Sequence, residues 1–184
     1  MSPLPPRLTL VLGGARSGKS AYAEGLVMAC PAPWLYLATA ETWDDEMAER
    51  VRLHRARRGE GWVTRDVPLA LPEALAAAQG PVLVDCLTLW LTNLILGEAD
   101  VGQACDRLAS ACAAAPGPVV LVSNEVGLGI VPDNALARRF RDEAGRLHQR
   151  MAALADRVVL TVAGLPLVVK PQPAPGQPVP GFPA

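Results

Sequence analysis

Several things are scarce in this 184-residue chain, and each scarcity narrows the field. Net charge is nearly absent: 17 Lys and Arg stand against 18 Asp and Glu, leaving −1. A general binder of nucleic acid or of an anionic membrane surface carries a clear basic excess, so neither partner is expected. The four cysteines (Cys30, Cys86, Cys105 and Cys112) include no C-x-x-C pair and fall within helix-like or strand-like runs. That argues against a disulfide framework or a zinc site, and for a reducing, cytoplasmic setting. No apolar run reaches membrane-spanning length, and the opening MSPLPPR is not followed by the long apolar core of a signal peptide. We therefore expect a soluble intracellular protein with no membrane insertion.

Histidine is scarcer still, with His54 and His148 the only two. His148, in GRLHQRM, shows no evident partner and reads as structural or exposed. His54 stands among four arginines in RLHRARR, Arg52–Arg58, within a locally basic run that follows an acidic one.

What is present is a run of short apolar segments alternating with helical ones. LTLVL at Leu8–Leu12, WLYLAT at Trp34–Thr39, PVLVDC at Pro81–Cys86, VVLVSN at Val119–Asn124 and RVVLTV at Arg157–Val162 read as buried strands, with a shorter one near Trp62–Val67. Helices are predicted over Lys19–Cys30, Asp44–Arg58, Leu71–Gln79, Leu87–Leu96, Val101–Ala115 and Asn134–Ala155. The alternation predicts a single α/β domain, 1–170, with a mainly parallel sheet flanked by helices. The tail from Pro171 to Ala184 is rich in proline and glycine and reads as a disordered extension.

The chemistry starts at Gly13-Gly14-Ala15-Arg16-Ser17-Gly18-Lys19-Ser20, which follows a predicted strand and opens a predicted helix. This is the context in which G-x-x-x-x-G-K-S is a phosphate loop. Its glycines let backbone N–H groups face phosphate oxygens, and the helix N-terminus adds partial positive charge. Lys19 would reach the β- and γ-phosphates, and the Ser20 hydroxyl would ligate Mg²⁺. Asp85 ends its strand at the edge where open α/β sheets bind ligands, so it could complete the magnesium shell or cap the next helix. Where a GTPase switch would place Asn-Lys-x-Asp, this chain has Ser123-Asn124-Glu125-Val126. Glu125 could orient a water or a substrate hydroxyl, or be a plain loop acid.

Two readings of His54 stay open on spacing. Met47, Val51 and His54 follow an i, i+4, i+7 pattern, which puts the imidazole near an apolar stripe with the arginines as a solvated face. Alternatively, a neutral imidazole can attack an α-phosphorus, expel pyrophosphate and carry a nucleoside monophosphate, with arginines neutralising the phosphates.

GGARSGKS, ATAETWDDEMAERVRLHRARR, VLVDCLTLWLTNL and VSNEVGLGIVPDNALARRFRDEAGRLHQRMA together resemble the bifunctional adenosylcobinamide kinase / adenosylcobinamide-phosphate guanylyltransferase family of cobalamin assembly, over about residues 7–170. The resemblance implies a RecA-like P-loop NTPase fold, a homotrimer and two reactions. A kinase step moves a γ-phosphoryl group from ATP or GTP to adenosylcobinamide. A guanylyltransferase step then moves GMP from GTP, through a guanylylated histidine, onto adenosylcobinamide phosphate to give adenosylcobinamide-GDP. The family's histidine falls on His54. Its GTP contacts fall on Gly13–Ser20, on Thr39, Ala40 and Glu41, on Arg55, Ala56, Arg57 and Arg58, and on Asp66 and Asp85. The other reading is a RecA-like regulatory ATPase in which the phosphate loop is a switch and His54 is structural.

Overall fold

The structure is a computed structural model that describes residues 6–41 and 59–171. The segment carrying the expected helix Asp44–Arg58, with His54, and all but the first residue of the proline-rich tail lie outside the described residues.

Among the described residues seven strands form one sheet in the order β3-β2-β4-β5-β1-β6-β7. They are β1 Leu8–Gly13, β2 Trp34–Ala38, β3 Trp62–Asp66, β4 Val82–Asp85, β5 Val119–Asn124, β6 Arg157–Val162 and β7 Leu165–Lys170. The first six are mutually parallel, and β7 runs antiparallel to β6 at one edge. Helices α1 Lys19–Met28, α2 Leu71–Ala76, α3 Leu87–Leu96, α4 Val101–Ala114 and α5 Ala135–Leu154 connect them.

Both faces of the sheet are covered, which is why its central strands are apolar throughout rather than alternating with polar residues. Successive side chains still divide between the faces. Leu10, Val84 and Leu121 join one cluster with Leu87, Trp90 and Leu91 of α3, Leu108 of α4, and Leu147 and Met151 of α5. Val11, Leu83, Val120 and Val122 join the other, under Ala23 and Val27 of α1. Trp90 is fully buried, and its indole N–H donates to the Leu69 carbonyl at 3.0 Å. Trp34 and Trp62 pack as a tilted pair, ring centroids 5.4 Å apart, where β2 meets β3. Asp100 caps α4 by accepting from the Gln103 N–H at 2.9 Å, and Asn134 caps α5 by accepting from the Ala137 N–H at 2.7 Å.

β7 was not among the expected strands. It closes a hairpin on β6 whose two-residue turn, Ala163-Gly164, has both residues at positive φ (51° and 81°). That backbone matches the twist of paired strands, and glycine accepts it without strain. Pro166, which hid the strand in the sequence, is tolerated because β7 lies on the sheet edge.

Candidate active site at the C-terminal edge of the sheet

The parallel register lines up the strand ends that matter. Gly13 lies opposite Asn124 on one side and Thr161 on the other, while Ala38 lies opposite both Asp66 and Asp85. This is the edge at which α/β sheets present ligand sites, because the chain turns there from strand ends into helix N-termini.

The phosphate loop leaves β1 at Gly13 and enters α1 at Lys19. Its two outer glycines are required for different reasons. A Cβ on Gly13 would collide with Ser17 Oγ and stand 2.8 Å from the Thr161 carbonyl oxygen. Gly18 has φ +92°, a left-handed backbone, and a Cβ there would lie 3.1 Å from the Cα of Gly164. The β6–β7 turn therefore braces the loop, and the Gly164 N–H also donates to the Ser17 carbonyl at 2.9 Å. Lys19 is buried, and its ammonium donates to the Gly14 carbonyl at 3.0 Å across the mouth of the loop.

Asp85 ends β4, which is separated from β1 by β5 alone. At about 4.8 Å per strand this is roughly 10 Å of sheet width. The Tyr36 hydroxyl donates to Asp85 Oδ2 at 3.0 Å, which orients the carboxylate. The helix-cap alternative for Asp85 is not what the structure holds: Cys86 occupies the N-cap of α3, without a side-chain cap bond. Ser20 opens α1 beside the loop. Among the described residues no group of three or more His, Cys, Asp or Glu could hold a metal ion. A serine hydroxyl and one oriented carboxylate nevertheless suit Mg²⁺, a hard cation that takes few protein oxygens and fills its shell with phosphate oxygens and water.

Behind these groups lies a buried polar chain. Thr39 Oγ1 accepts from the Cys86 N–H at 2.9 Å and donates to the Cys86 carbonyl at 2.7 Å, and the Asp85–Cys86 peptide between them is cis. Asn93 donates to the Thr39 carbonyl at 2.9 Å and to that of Pro68 at 3.0 Å. Asn124 donates to Thr88 Oγ1 at 2.7 Å, and that hydroxyl contacts Cys86 Sγ at 3.2 Å. Thr39, expected as a nucleotide contact, is thus fully buried and ties the ends of β2 and β4 together. Asn93, Thr88 and Asn124 were missed because only the fold brings them to Thr39 and Cys86. Burial, then the neighbouring Asp85, pushes the Cys86 thiol up to about 11, so it stays protonated as a small core group. The other three cysteines are also free buried thiols.

The remaining expected residues are spread along the edge. Ala40 and Glu41 follow β2 and are half-buried. Asp66 ends β3, four strand spacings from β1, or roughly 19 Å of sheet width. His54, Arg55, Ala56, Arg57 and Arg58 lie outside the described residues, between Glu41 and Gly59. Glu125 follows β5; its N–H donates to the Gly13 carbonyl at 3.0 Å, and its Oε1 accepts from the Gly127 N–H at 2.5 Å. The segment after β5 therefore leans over the end of β1. It joins Gly14–Ser17 and Leu160–Ala163 in lining a cleft of about 620 Å³.

His148 is structural, one of its two sequence readings, and has a partner that the sequence did not show. It is buried on α5, and its Nε2 lies 2.7 Å from Ser123 Oγ on β5. Burial holds its pKa below the ordinary value of 6.5, partly offset by the negative charge of Glu125.

A parallel sheet with a phosphate loop at the end of one strand and an acid at the end of the next strand but one defines a P-loop nucleotide-binding protein of the RecA-like class. A prototypical ATPase from the type III secretion system of pathogenic bacteria has the same architecture, with a TM-score of 0.50 at 12% identity, covering 84% of this chain and 50% of that one. So has a protein of Pyrococcus horikoshii OT3, at TM-score 0.50 and 8% identity, covering 88% of this chain and 85% of that one. Within that class the sequence is specific. Residues 9–169 match the family described as cobinamide kinase / cobinamide phosphate guanyltransferase, and the chain belongs to it. The chain is 50% identical over 171 residues to the bifunctional adenosylcobalamin biosynthesis protein CobP of Pseudomonas aeruginosa, covering 89% of this chain and 98% of that one. It is 44% identical over 181 residues to the bifunctional adenosylcobalamin biosynthesis protein CobU of Salmonella typhimurium, covering 89% and 99%.

Proposed function

We infer that this protein is a bifunctional enzyme of adenosylcobalamin biosynthesis, a cobinamide kinase and cobinamide-phosphate guanylyltransferase. Family membership across residues 9–169, joined to a phosphate loop with a buried Lys19 at its mouth, is the observation that carries this reading. It is favoured over a regulatory ATPase, for which no feature beyond the shared fold speaks.

In the kinase step the hydroxyl oxygen of cobinamide attacks the γ-phosphorus of ATP or GTP, the bond to the bridging β-oxygen breaks, and the hydroxyl proton is released to solvent. Gly13, Gly14, Ala15, Arg16, Ser17 and Gly18 cradle the phosphates, and Lys19 spans the β- and γ-phosphates as charge moves onto the leaving diphosphate. Ser20 and Asp85 would hold Mg²⁺, which supplies charge neutralisation between the phosphates when bound. In the guanylyltransferase step the His54 imidazole displaces pyrophosphate from the α-phosphorus of GTP, forming a P–N bond. A phosphate oxygen of cobinamide phosphate then attacks that phosphorus, the P–N bond breaks and the guanylylated product leaves. Thr39, Ala40, Glu41, Arg55, Ala56, Arg57, Arg58 and Asp66 are assigned to GTP by the family resemblance. The resemblance also carries a homotrimeric assembly, while the cytoplasmic location rests on the cysteine pattern and the catalytic unit of residues 1–170 on the alternation of strands and helices before the proline-rich tail.

Labelling tests the covalent step. Incubation with α-labelled GTP is expected to leave acid-labile, base-stable label on the protein. His54→Ala should abolish the label while phosphorylation of cobinamide continues, and a wild type that takes up no label would remove the guanylyltransferase claim. Lys19→Ala is expected to slow phosphoryl transfer by about 100-fold or more, as loss of one preorganised charge-stabilising donor does elsewhere.

A further inference from the structure

Helix α3 is packed on almost every side. Seven of its ten residues are buried, and Leu87, Trp90, Leu91, Leu94 and Ile95 belong to the main core. Hydroxyl and amide side chains are costly in such a helix unless each finds a partner. α3 carries three of them. Thr92 Oγ1 donates to the Thr88 carbonyl one turn back, at 3.0 Å, and so stays within the helix. Thr88 and Asn93 are buried and reach out of it, and both end at the ligand edge of the sheet. Thr88 Oγ1 accepts from Asn124 Nδ2 at 2.7 Å and lies 3.2 Å from Cys86 Sγ, joining the ends of β5 and β4. Asn93 Nδ2 serves the other half of the edge, donating to the Thr39 carbonyl just past β2 and to the Pro68 carbonyl just past β3.

The two halves serve different parts of the site. Asn124 lies opposite Gly13, where the phosphate loop begins, and Cys86 follows Asp85, so Thr88 secures the half that holds triphosphate and metal. The ladder between β2 and β3 closes with the Val67 N–H on the Ala38 carbonyl at 2.7 Å, and past that bond Asn93 bridges the two exits. Those exits carry Thr39, Ala40, Glu41 and Asp66, the GTP residues that stand away from the phosphate loop. We propose that Asn93 is a positioning residue for guanylyl transfer, fixing the β2 and β3 exits relative to the phosphate loop, while Thr88 positions the half of the edge that both reactions share. The proposal rests on the bifunctional reading above. A displacement of about 1 Å costs on the order of 100-fold in a reaction that depends on alignment. The kinase step escapes loss of Asn93, because Lys19, Ser20 and Asp85 lie on β4 and beside β1, and Asp85 keeps its own partner in Tyr36.

Two rates measured on the full chain, well below each variant's melting temperature, test the division. One is labelling by α-labelled GTP over a range of GTP concentrations; the other is phosphorylation of cobinamide with ATP as donor. Asn93→Leu keeps the size of the side chain and removes both donated bonds. Its maximal labelling rate is expected to fall about tenfold or more, with half-saturating GTP within about threefold and the kinase rate within about twofold of wild type. Should that variant not fold, Asn93→Ser, smaller and with one donor left, carries the same expectation. Thr88→Val is expected to slow both reactions about tenfold, and Thr88→Ser, which keeps the hydroxyl, to run both near the wild-type rate. Equal losses in both reactions for the Asn93 variant would make it a general scaffold residue and overturn the proposal. So would unchanged labelling, or a raised half-saturating GTP at an unchanged maximal rate, which would make Asn93 a nucleotide contact. A Thr88→Val variant that spares the kinase step, or no recovery in Thr88→Ser, would overturn the division of the edge. A wild type that takes up no label removes the guanylyltransferase reading and this proposal with it, whereas a labelled wild type matched by its variants removes the proposal alone.

Discussion

The pairing of His148 with Ser123 has consequences that a proton count can follow. Burial depresses the folded-state pKa of the imidazole below its unfolded value of 6.5, so the unfolded chain binds the extra proton first. Stability from this residue is therefore fully present above about pH 6.5 and falls as the pH drops through the window between the two pKa values. The melting temperature is expected to decline with acidification below pH 6.5, and His148→Gln should flatten that decline. Ser123→Ala leaves a buried ring nitrogen without its partner and is expected to cost about 1–3 kcal/mol in denaturant unfolding at pH 7.5. The pair could not be read from the sequence. Ser123 and His148 belong to different elements, and neither residue type announces the other. Gly13 is the opposite case, visible in the motif and explained by the structure. Gly13→Ala must push against Ser17 and the Thr161 carbonyl, so weaker nucleotide binding by about tenfold or more is expected in a titration with labelled GTP.

At the scale of elements, the strands that carry the site were legible because buried parallel strands are continuous apolar runs. β1, β2, β4, β5 and β6 each stand within a residue or two of where the pattern puts them. The helix ends were less so: α1 stops at Met28 and α2 at Ala76, short of Cys30 and Gln79, since apolar composition continues past the last backbone bond. β7 escaped because Pro166 argues against a strand wherever the edge position is unknown. The signal that could have found it is Ala163-Gly164, a two-residue turn between two apolar runs. That turn touches the phosphate loop, so its chemistry should matter beyond its own hairpin. Gly164→Val forces a β-branched residue into φ +81° and is expected to cost about 1–2 kcal/mol in thermal unfolding. It should also raise the Kd for GTP, because the Ser17 carbonyl loses a well-placed donor. Asn134→Ala, at the cap of α5 and far along the chain from that turn, is expected to cost about 1 kcal/mol with GTP affinity unchanged.

For the molecule as a whole, the sequence resemblance and the strand order converge on one edge of one sheet. Lys19 and Ser20 follow β1, Glu125 follows the adjacent β5 and Asp85 ends β4 two strand spacings from β1, while Asp66 stands four strand spacings away. That spread is legible only once the strand order is known, because a motif gives spacing along the chain and no distance across a sheet. Chelating Mg²⁺ with excess EDTA is expected to abolish phosphoryl transfer and covalent labelling together, with both restored by added Mg²⁺; separate responses would split the two reactions between different triphosphate sites.

The strand order also carries a consequence for biosynthesis. β1 emerges first, yet its two neighbours are β5 and β6, both made well over half a chain later. The glycines of the phosphate loop then wait for the last hairpin, whose turn supplies Gly164 as their brace. A ribosome-bound nascent chain stalled before residue 157 would have helices and a half-built sheet but no framed nucleotide site. The enzyme becomes able to hold its nucleotide only as its final strands leave the exit tunnel.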